Sequence, residues 1–428
     1  MRRFDPAARS HGSGGWRGYA EWLPVFSIAV LVTACTVAGA PRPVTAAVGR
    51  MDLGGYSGRP LAAPRDAGES YGGLMESVRM AEAVVAPRAF DAALAWTSAI
   101  PVPTPLDAVG ILADATRETL AEHGMLAGFS IGGTDDPSGV PRIGVSRSVR
   151  LTVLRMRDNM TAIDAARQID ARDFAVNRDN LPVPFADYFA THGHWRTYEP
   201  TLAATLAHGP FVVTVYVTNP TTDRAALQSL AETAFDAELP VLDAFAPTPA
   251  EKLATLPLDP EGLLGRVLPA TPGQWPYPEL FEDEQGVIAG WRGHRRATGI
   301  AYGPRVADLW VNRPGDSVRI PVEAMAVADN ARLLRFPDAV AARHALLRLS
   351  APTADHTVPT GNQTVATAPS GIPDAVCLRD SDPQAPDQQF TCFVLEGRYL
   401  ALISGATEEA AHRMAVAQYA LLSDSAGR

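Results

Sequence analysis

Lysine is nearly missing from this chain: of its 37 basic residues only Lys252 is a lysine. Position 249 is proline, so Ser-x-x-Lys chemistry is excluded. A Walker loop, a G-x-G-x-x-G before a helix and an H-E-x-x-H are missing as well. Any acid–base catalysis would therefore rest on carboxylates that carry no motif. Positive charge is in deficit, with a formal net charge of −10. That argues against a sequence-wide attraction to nucleic acid or anionic lipid. Long apolar runs are missing too: residues 23–34, as a helix, reach about 18 Å against a hydrocarbon core of about 30 Å. What remains is 428 residues, 46% hydrophobic and 20% charged. Such a chain is neither disordered nor polytopic, and it is long enough for two domains.

Cysteine is scarce, at three residues. Cys35 closes the apolar run after Val32-Thr33-Ala34, and Arg2, Arg3, Arg9 and Arg17 precede the run. A basic n-region followed by an apolar h-region is the pattern of a secretory leader. An aliphatic residue three before the cysteine, with small neighbours, matches a bacterial lipobox. There the thiol takes up diacylglycerol, and small side chains let a peptidase reach the bond. The expectation is a signal peptide over residues 1–34, lipidation at Cys35 and a flexible tether over residues 35–60. A buried cysteine in an ordinary leader is the alternative. Cys377 and Cys392 form an even pair in a chain expected outside the cytoplasm, where disulfides persist. A bond between them would contribute about 3 kcal/mol by chain entropy. Two free buried thiols, or half of a metal site, are the alternatives, although no His or Cys lies between the pair.

From residue 60 to 240 helical and strand patterns alternate. Leu74, Val78, Ala81 and Val85 keep helical spacing, with Pro87 ending the helix. Residues 106–122 predict a second helix with Gly124 past its end, and residues 159–172 and 223–237 predict two more. Residues 150–154 and the β-branched run 211–217 predict strands. The second half repeats this outline. Leu154-Arg155-Met156-Arg157-Asp158 leads into one helix and Leu334-Arg335-Phe336-Pro337-Asp338 into another. Gly209-Pro210-Phe211 and Gly397-Arg398-Tyr399 then introduce the strand and helix that close each half. Asp158 and Asp338 are expected at equivalent helix starts, as caps rather than catalytic acids. Duplication also predicts the same strand order in both halves.

The fold class is therefore α+β: two tandem α/β-sandwich domains, helices on one face, with ferredoxin-like topology expected. The first domain spans residues 61–243 and the second 278–428. A proline-rich connector, residues 244–277, joins them. Asp52-Leu53-Gly54-Gly55-Tyr56, Arg79-Met80-Ala81-Glu82, Ala207-His208-Gly209-Pro210-Phe211 and Lys252-Leu253-Ala254-Thr255-Leu256 carry a resemblance. On these segments the chain resembles a family of actinobacterial secreted lipoproteins with a duplicated domain of unknown function. The resemblance implies location and architecture, and it carries over no catalytic residue.

Three motifs invite chemistry. Gly128-Phe129-Ser130-Ile131-Gly132 fits G-x-S-x-G, but the flanks lack the strand-to-helix turn of a nucleophile elbow, and a flexible hairpin or loop is expected. His192 and His194 alternate as metal ligands on a strand would, with His208 or Glu199 as the nearest third ligand. The expected reading is a polar loop anchored by Trp195. Arg292, His294, Arg295 and Arg296 are a basic cluster able to hold a phosphate or carboxylate, or simply a solvated loop.

The expected function is ligand or partner capture by a membrane-anchored extracytoplasmic lipoprotein, with the site in the cleft between domains. An envelope hydrolase and a structural scaffold are the alternatives. Expected partners are membrane lipid, through acylated Cys35, and an envelope protein, lipid or glycan; nucleic acid is not. No cofactor, metal or catalytic residue is expected. An apolar hollow at the junction favours binding, and converging titratable groups with shifted pKa values favour an enzyme.

Overall fold

The structure is a computed structural model that describes residues 51–426 apart from 110, 284–293, 353–362 and 382–388. Its first sheet is built from β1 (Trp96–Pro101), β2 (Ala127–Thr134), β3 (Ser148–Arg155), β4 (Leu181–Pro182), β5 (His192–Arg196), β6 (Glu199–His208) and β7 (Phe211–Thr218). A two-stranded ribbon follows, β8 (Glu279–Asp283) with β9 (His294–Thr298). The second sheet comprises β10 (Ile300–Tyr302), β11 (Ala324–Ala328), β12 (Ala331–Arg335), β13 (Gln363–Ala366), β14 (Val376–Asp380), β15 (Phe390–Glu396) and β16 (Tyr399–Gly405). Four helices belong to the first half: α1 (Gly68–Met80), α2 (Thr116–Glu122), α3 (Asn159–Ala175) and α4 (Arg224–Asp243). Three belong to the second: α5 (Pro304–Val311), α6 (Ala339–Leu349) and α7 (Glu408–Ala426).

The two sheets are antiparallel and share one order. The first runs β1-β2-β3-β7-β6-β5-β4 and the second β10-β11-β12-β16-β15-β14-β13. Each is the other's order renumbered, as duplication requires. The local signals repeat as well. Asp158 and Asp338 sit at φ/ψ of −153°/175° and −151°/174°, and each Oδ1 accepts the backbone N–H three residues on, at 2.8 Å. These are N-caps, satisfying amides that the first helical turn leaves open. Gly209 and Gly397, at φ +54° and +56°, make the tight turns of the β6–β7 and β15–β16 hairpins. That left-handed region is open to glycine.

Four expectations are corrected. The central strands run hairpin, helix, hairpin, helix (β2–β3, α3, β6–β7, α4), where a ferredoxin-like chain runs strand, helix, hairpin, helix, strand. Helices cover both faces of each sheet. Leu154 and Val212 pack with Ala162, Ala165 and Ile169 of α3. Their strand neighbours Val153 and Val213 pack with Leu227 and Phe235 of α4. Adjacent residues on a strand point to opposite faces, so α3 and α4 lie on opposite sides. The helix expected over residues 106–122 is confined to α2, because three-residue turns at Leu106–Val109 and Ala108–Ile111 interrupt it. Pro87 begins a 3-10 turn, Pro87–Ala89, after the first helix has already closed in Ala81–Ala83.

One apolar core runs through both domains. It joins the α4 side of the first sheet to the α6 side of the second, where Leu334, Phe336, Leu400 and Leu402 are buried. Each such side chain contributes about 1.5–3 kcal/mol. The outer face of the second sheet packs against α7 and against Leu263, Leu264, Val267 and Leu268 of the proline-rich segment. Met51, Leu53 and Tyr56 lie against that same outer core. The Tyr56 hydroxyl donates to Ala270 O at 3.3 Å, and Leu61 N donates to Gly265 O at 3.0 Å.

Candidate functional site: a hollow between the two sheets

Where the edge strand of the first sheet meets the second domain, the shared core leaves a hollow of about 500 Å³. One wall is β1, from Thr97 to Pro101. The other is built from α5 and from β10, β11 and β12. Pro304 starts α5 at its first position, where a missing N–H costs nothing. Val306, Ala307 and Val311 bury into the core, and Leu309 and Trp310 stay half-buried at the hollow. Asn312 stops the helix: its Nδ2 donates to Asp308 Oδ1 at 2.7 Å and its Oδ1 accepts Ile320 N–H at 2.8 Å.

The lining divides by chemistry. Ile100, Phe281, Tyr302, Trp310, Met325 and Val327 supply the apolar part. Thr97, Ser98, Thr298, Asn330 and Arg332 supply the polar part. Arg332 lies over the Trp310 ring at 4.8 Å from its centroid, a cation–π contact that orients both groups. Burial pushes the Tyr302 hydroxyl well above its ordinary value, so it stays protonated. Asp329, whose N–H donates to Thr298 Oγ1 at 2.6 Å, is the one carboxylate among the described lining residues. Its backbone is left-handed at φ +46°.

The hollow is held open. Arg88 forms an ion pair with Asp308 across the junction and donates from Nη1 to Asn312 O at 2.8 Å. Burial draws the Arg88 guanidinium down from its ordinary value, and Asp308 opposes this. Glu82 accepts Arg305 N–H at 3.1 Å. Ligand pockets of this kind are typically about 300–1,000 Å³, mostly apolar, with a few polar groups that orient the occupant.

A second hollow of about 710 Å³ lies beside α1 and the proline-rich segment, lined by residues 250, 251, 253 and 254. The connector passes there, and no residue of 244–277 lines the junction hollow among the described residues. Its charged lining residues, Glu69, Asp107, Glu251 and Glu279, are all acidic.

The residues singled out from sequence are dispersed. Cys35 and Arg292 lie outside the described residues, as do the side chains of His294, Arg295 and Arg296, whose backbone is in β9. Cys377 and Cys392 face each other on β14 and β15 and are disulfide-bonded, with Cα atoms 4.0 Å apart. His412 approaches both sulfurs, but they are bonded to each other and leave no thiolate for a metal. Of the flexible hairpin or loop expected at Ser130, the structure has a strand pair, β2 with β3, and an enclosed one. Ser130 lies in the middle of buried β2, fully enclosed, with its hydroxyl 2.8 Å from that of Thr152. The motif glycines serve packing: a Cβ on Gly128 would meet Leu154 Cδ2 at 2.8 Å. His192 and His194 are on a strand, β5, rather than a polar loop. His194 Nδ1 is 3.1 Å from Asp170, His208 pairs with Asp243, and Glu199 pairs with Arg196. No common metal position results among these four. Trp310, Tyr302 and Arg332 were not singled out; the one local signal was a proline opening an amphipathic turn at Pro304.

Residues 63–258 match a domain of unknown function (DUF7373), N-terminal, and residues 263–425 match the C-terminal domain of the same description. The comparison with curated proteins gives no match. Among solved structures, the extracellular domain of PknH from Mycobacterium tuberculosis matches at 11% identity, over 44% of this chain and 100% of that one. Its TM-score is 0.25, too low to relate the two folds.

Proposed function

The chain belongs to the DUF7373 family, with the N-terminal and C-terminal domains in tandem, and on that premise we propose that it is a lipid-anchored extracytoplasmic binding protein whose ligand occupies the junction hollow. The observation that carries this reading is the hollow itself, to which both duplicated halves contribute walls. Its division into an aromatic part and a hydroxyl-and-guanidinium part suits an amphipathic envelope molecule rather than a purely apolar one. The Cys377–Cys392 disulfide supports an oxidising compartment. No described helix is long and apolar enough to cross a membrane. The reading therefore assigns attachment to acyl chains at Cys35, two of which suffice for stable anchoring.

Two measurements test it. Full-length protein purified in detergent is extracted with organic solvent and its small molecules are weighed. Wild type should carry an amphipathic molecule, and Met325→Trp, which fills the hollow, should carry at least about ten-fold less at an unchanged melting temperature. Equal recovery from both, or an empty wild type, overturns the binding reading. Anchoring is read separately: Cys35→Ala should leave the detergent phase, and a mature N-terminus at any residue other than Cys35 rejects the lipid anchor.

A further inference from the structure

Strand pairing sets side chains in rows across a sheet, and corresponding rows of the two duplicated sheets differ in kind. In the first sheet one row is Ser130, Thr152, Thr214, Thr205 and His192, on β2, β3, β7, β6 and β5. The equivalent row of the second sheet is Val327, Arg332, Leu402, Phe393 and Val376. In the second sheet that face joins the shared core through Leu402 and Phe393. In the first sheet the same face turns away from the other domain. Helix α3 covers one end of it, at Leu154 and Val212. Beyond that end a hollow of about 340 Å³ lies between α3, residues 111–116 and strands β6 and β7.

Its floor takes in two members of the polar row, Thr205 and Thr214. Ser130 and Thr152 satisfy each other. Thr205 and Thr214 are only 6% and 7% exposed, line the hollow, and have no hydrogen-bond partner for their hydroxyls among the described residues. Their hydroxyls are therefore left to whatever fills the hollow, and valine would fit a strand as well. Asp173 lines one side, its carboxyl pushed up by burial while His194 and Arg196 oppose the shift. Tyr216 stands beside Thr214's strand neighbours, its phenol raised by burial to about 12. Ile111, Leu112 and Ile169 supply apolar surface, and no cationic side chain is among the described lining residues.

We infer that this hollow binds a neutral polyhydroxylated ligand, a sugar of one or two rings. Such a ligand both donates and accepts at each hydroxyl, which is what two unpaired threonines and the two lining carboxylates, Asp114 and Asp173, require. Its C–H faces match the isoleucine and leucine walls. The absence of a lining cation argues against phosphorylated or carboxylated ligands, which need charge-assisted donors. The inference is independent of the junction hollow, which is lined by other residues.

The test is ligand-observed NMR on the full chain with glucose, maltose and cellobiose, and with spermidine as a cationic control. At least one sugar should bind below about 10 mM, a range natural for a few hydrogen bonds. The double variant Thr205→Val, Thr214→Val keeps the shape and removes both hydroxyls. It should weaken sugar binding about ten-fold or more, as the loss of two hydrogen bonds implies, with no fall in melting temperature. Trp310→Ala should leave sugar binding unchanged. Failure of all three sugars to bind, unchanged affinity in the double variant, or binding of spermidine in their place overturns the assignment.

Discussion

At Glu238 a carboxyl is wholly enclosed within α4. Its Oε2 accepts Val85 N–H at 2.8 Å, while Oε1 is buried without a partner. Burial pushes it up to about 8, against about 4.3 in an unfolded chain. The folded state therefore binds this proton more tightly than the unfolded state. Stability is lost as pH rises from about 4.5 to 8, and the loss is complete above that. Glu238→Gln keeps an acceptor for Val85 and removes the charge. Its melting temperature should match wild type near pH 5 and exceed it at pH 8.5; parallel pH profiles would reject the argument. Glu76 differs in its partners. Also fully enclosed, it accepts from Arg155 and Arg79 at 2.6 Å and from Thr248 N–H and Oγ1 at 2.9 and 2.7 Å. Glu76→Ala would strand the buried Arg155 guanidinium and cost about 3–5 kcal/mol, read by denaturant unfolding.

Among the elements, the paired caps give a prediction of equality. Asp158→Ala and Asp338→Ala each remove one side-chain acceptor at an equivalent helix start, and each should cost about 1 kcal/mol in denaturant unfolding. A cost at one site and none at the other would mean that the two helix starts are not energetically alike. These caps, and the strand entries at Gly209 and Gly397, were legible in the sequence because their physics is local, spanning three or four residues. The junction hollow and the hydroxyl row were not. Ser130, Thr152, Thr214 and Thr205 meet only through strand registers set far apart in the chain, and alternation along one strand says nothing about its neighbour. The enclosure of Ser130 within its strand pair is hidden from the sequence for a related reason. The flanking glycines resemble turn residues, whereas Gly133 answers a close approach, where a Cβ would meet Pro87 Cβ at 2.6 Å. Helix α2 is short because the turns at Leu106–Val109 and Ala108–Ile111 precede it, and no helical period reveals them.

For the whole molecule, the shared core couples the two halves. Peeling one sheet away would expose Leu334, Phe336, Leu400 and Leu402 together, so the halves should unfold in a single calorimetric transition. Arg88→Ala, which breaks the ties to Asp308 and Asn312 O, should lower that one transition without splitting it. Two resolved transitions in wild type would refute the coupling. The duplication is thus exact in strand order but not in packing: the first sheet turns its α4 side to the partner and the second its α6 side. The stretch Met51, Leu53 and Tyr56 has a mechanical consequence. It precedes the first domain in the chain yet lies along the outer core of the second, with Gly54 against Arg413 of α7. Tension applied to the chain from the N-terminal side of Met51 would load α7 and the second sheet first. The first domain, with its hydroxyl-floored hollow, would stand downstream of that load, strained only once the strap had peeled away.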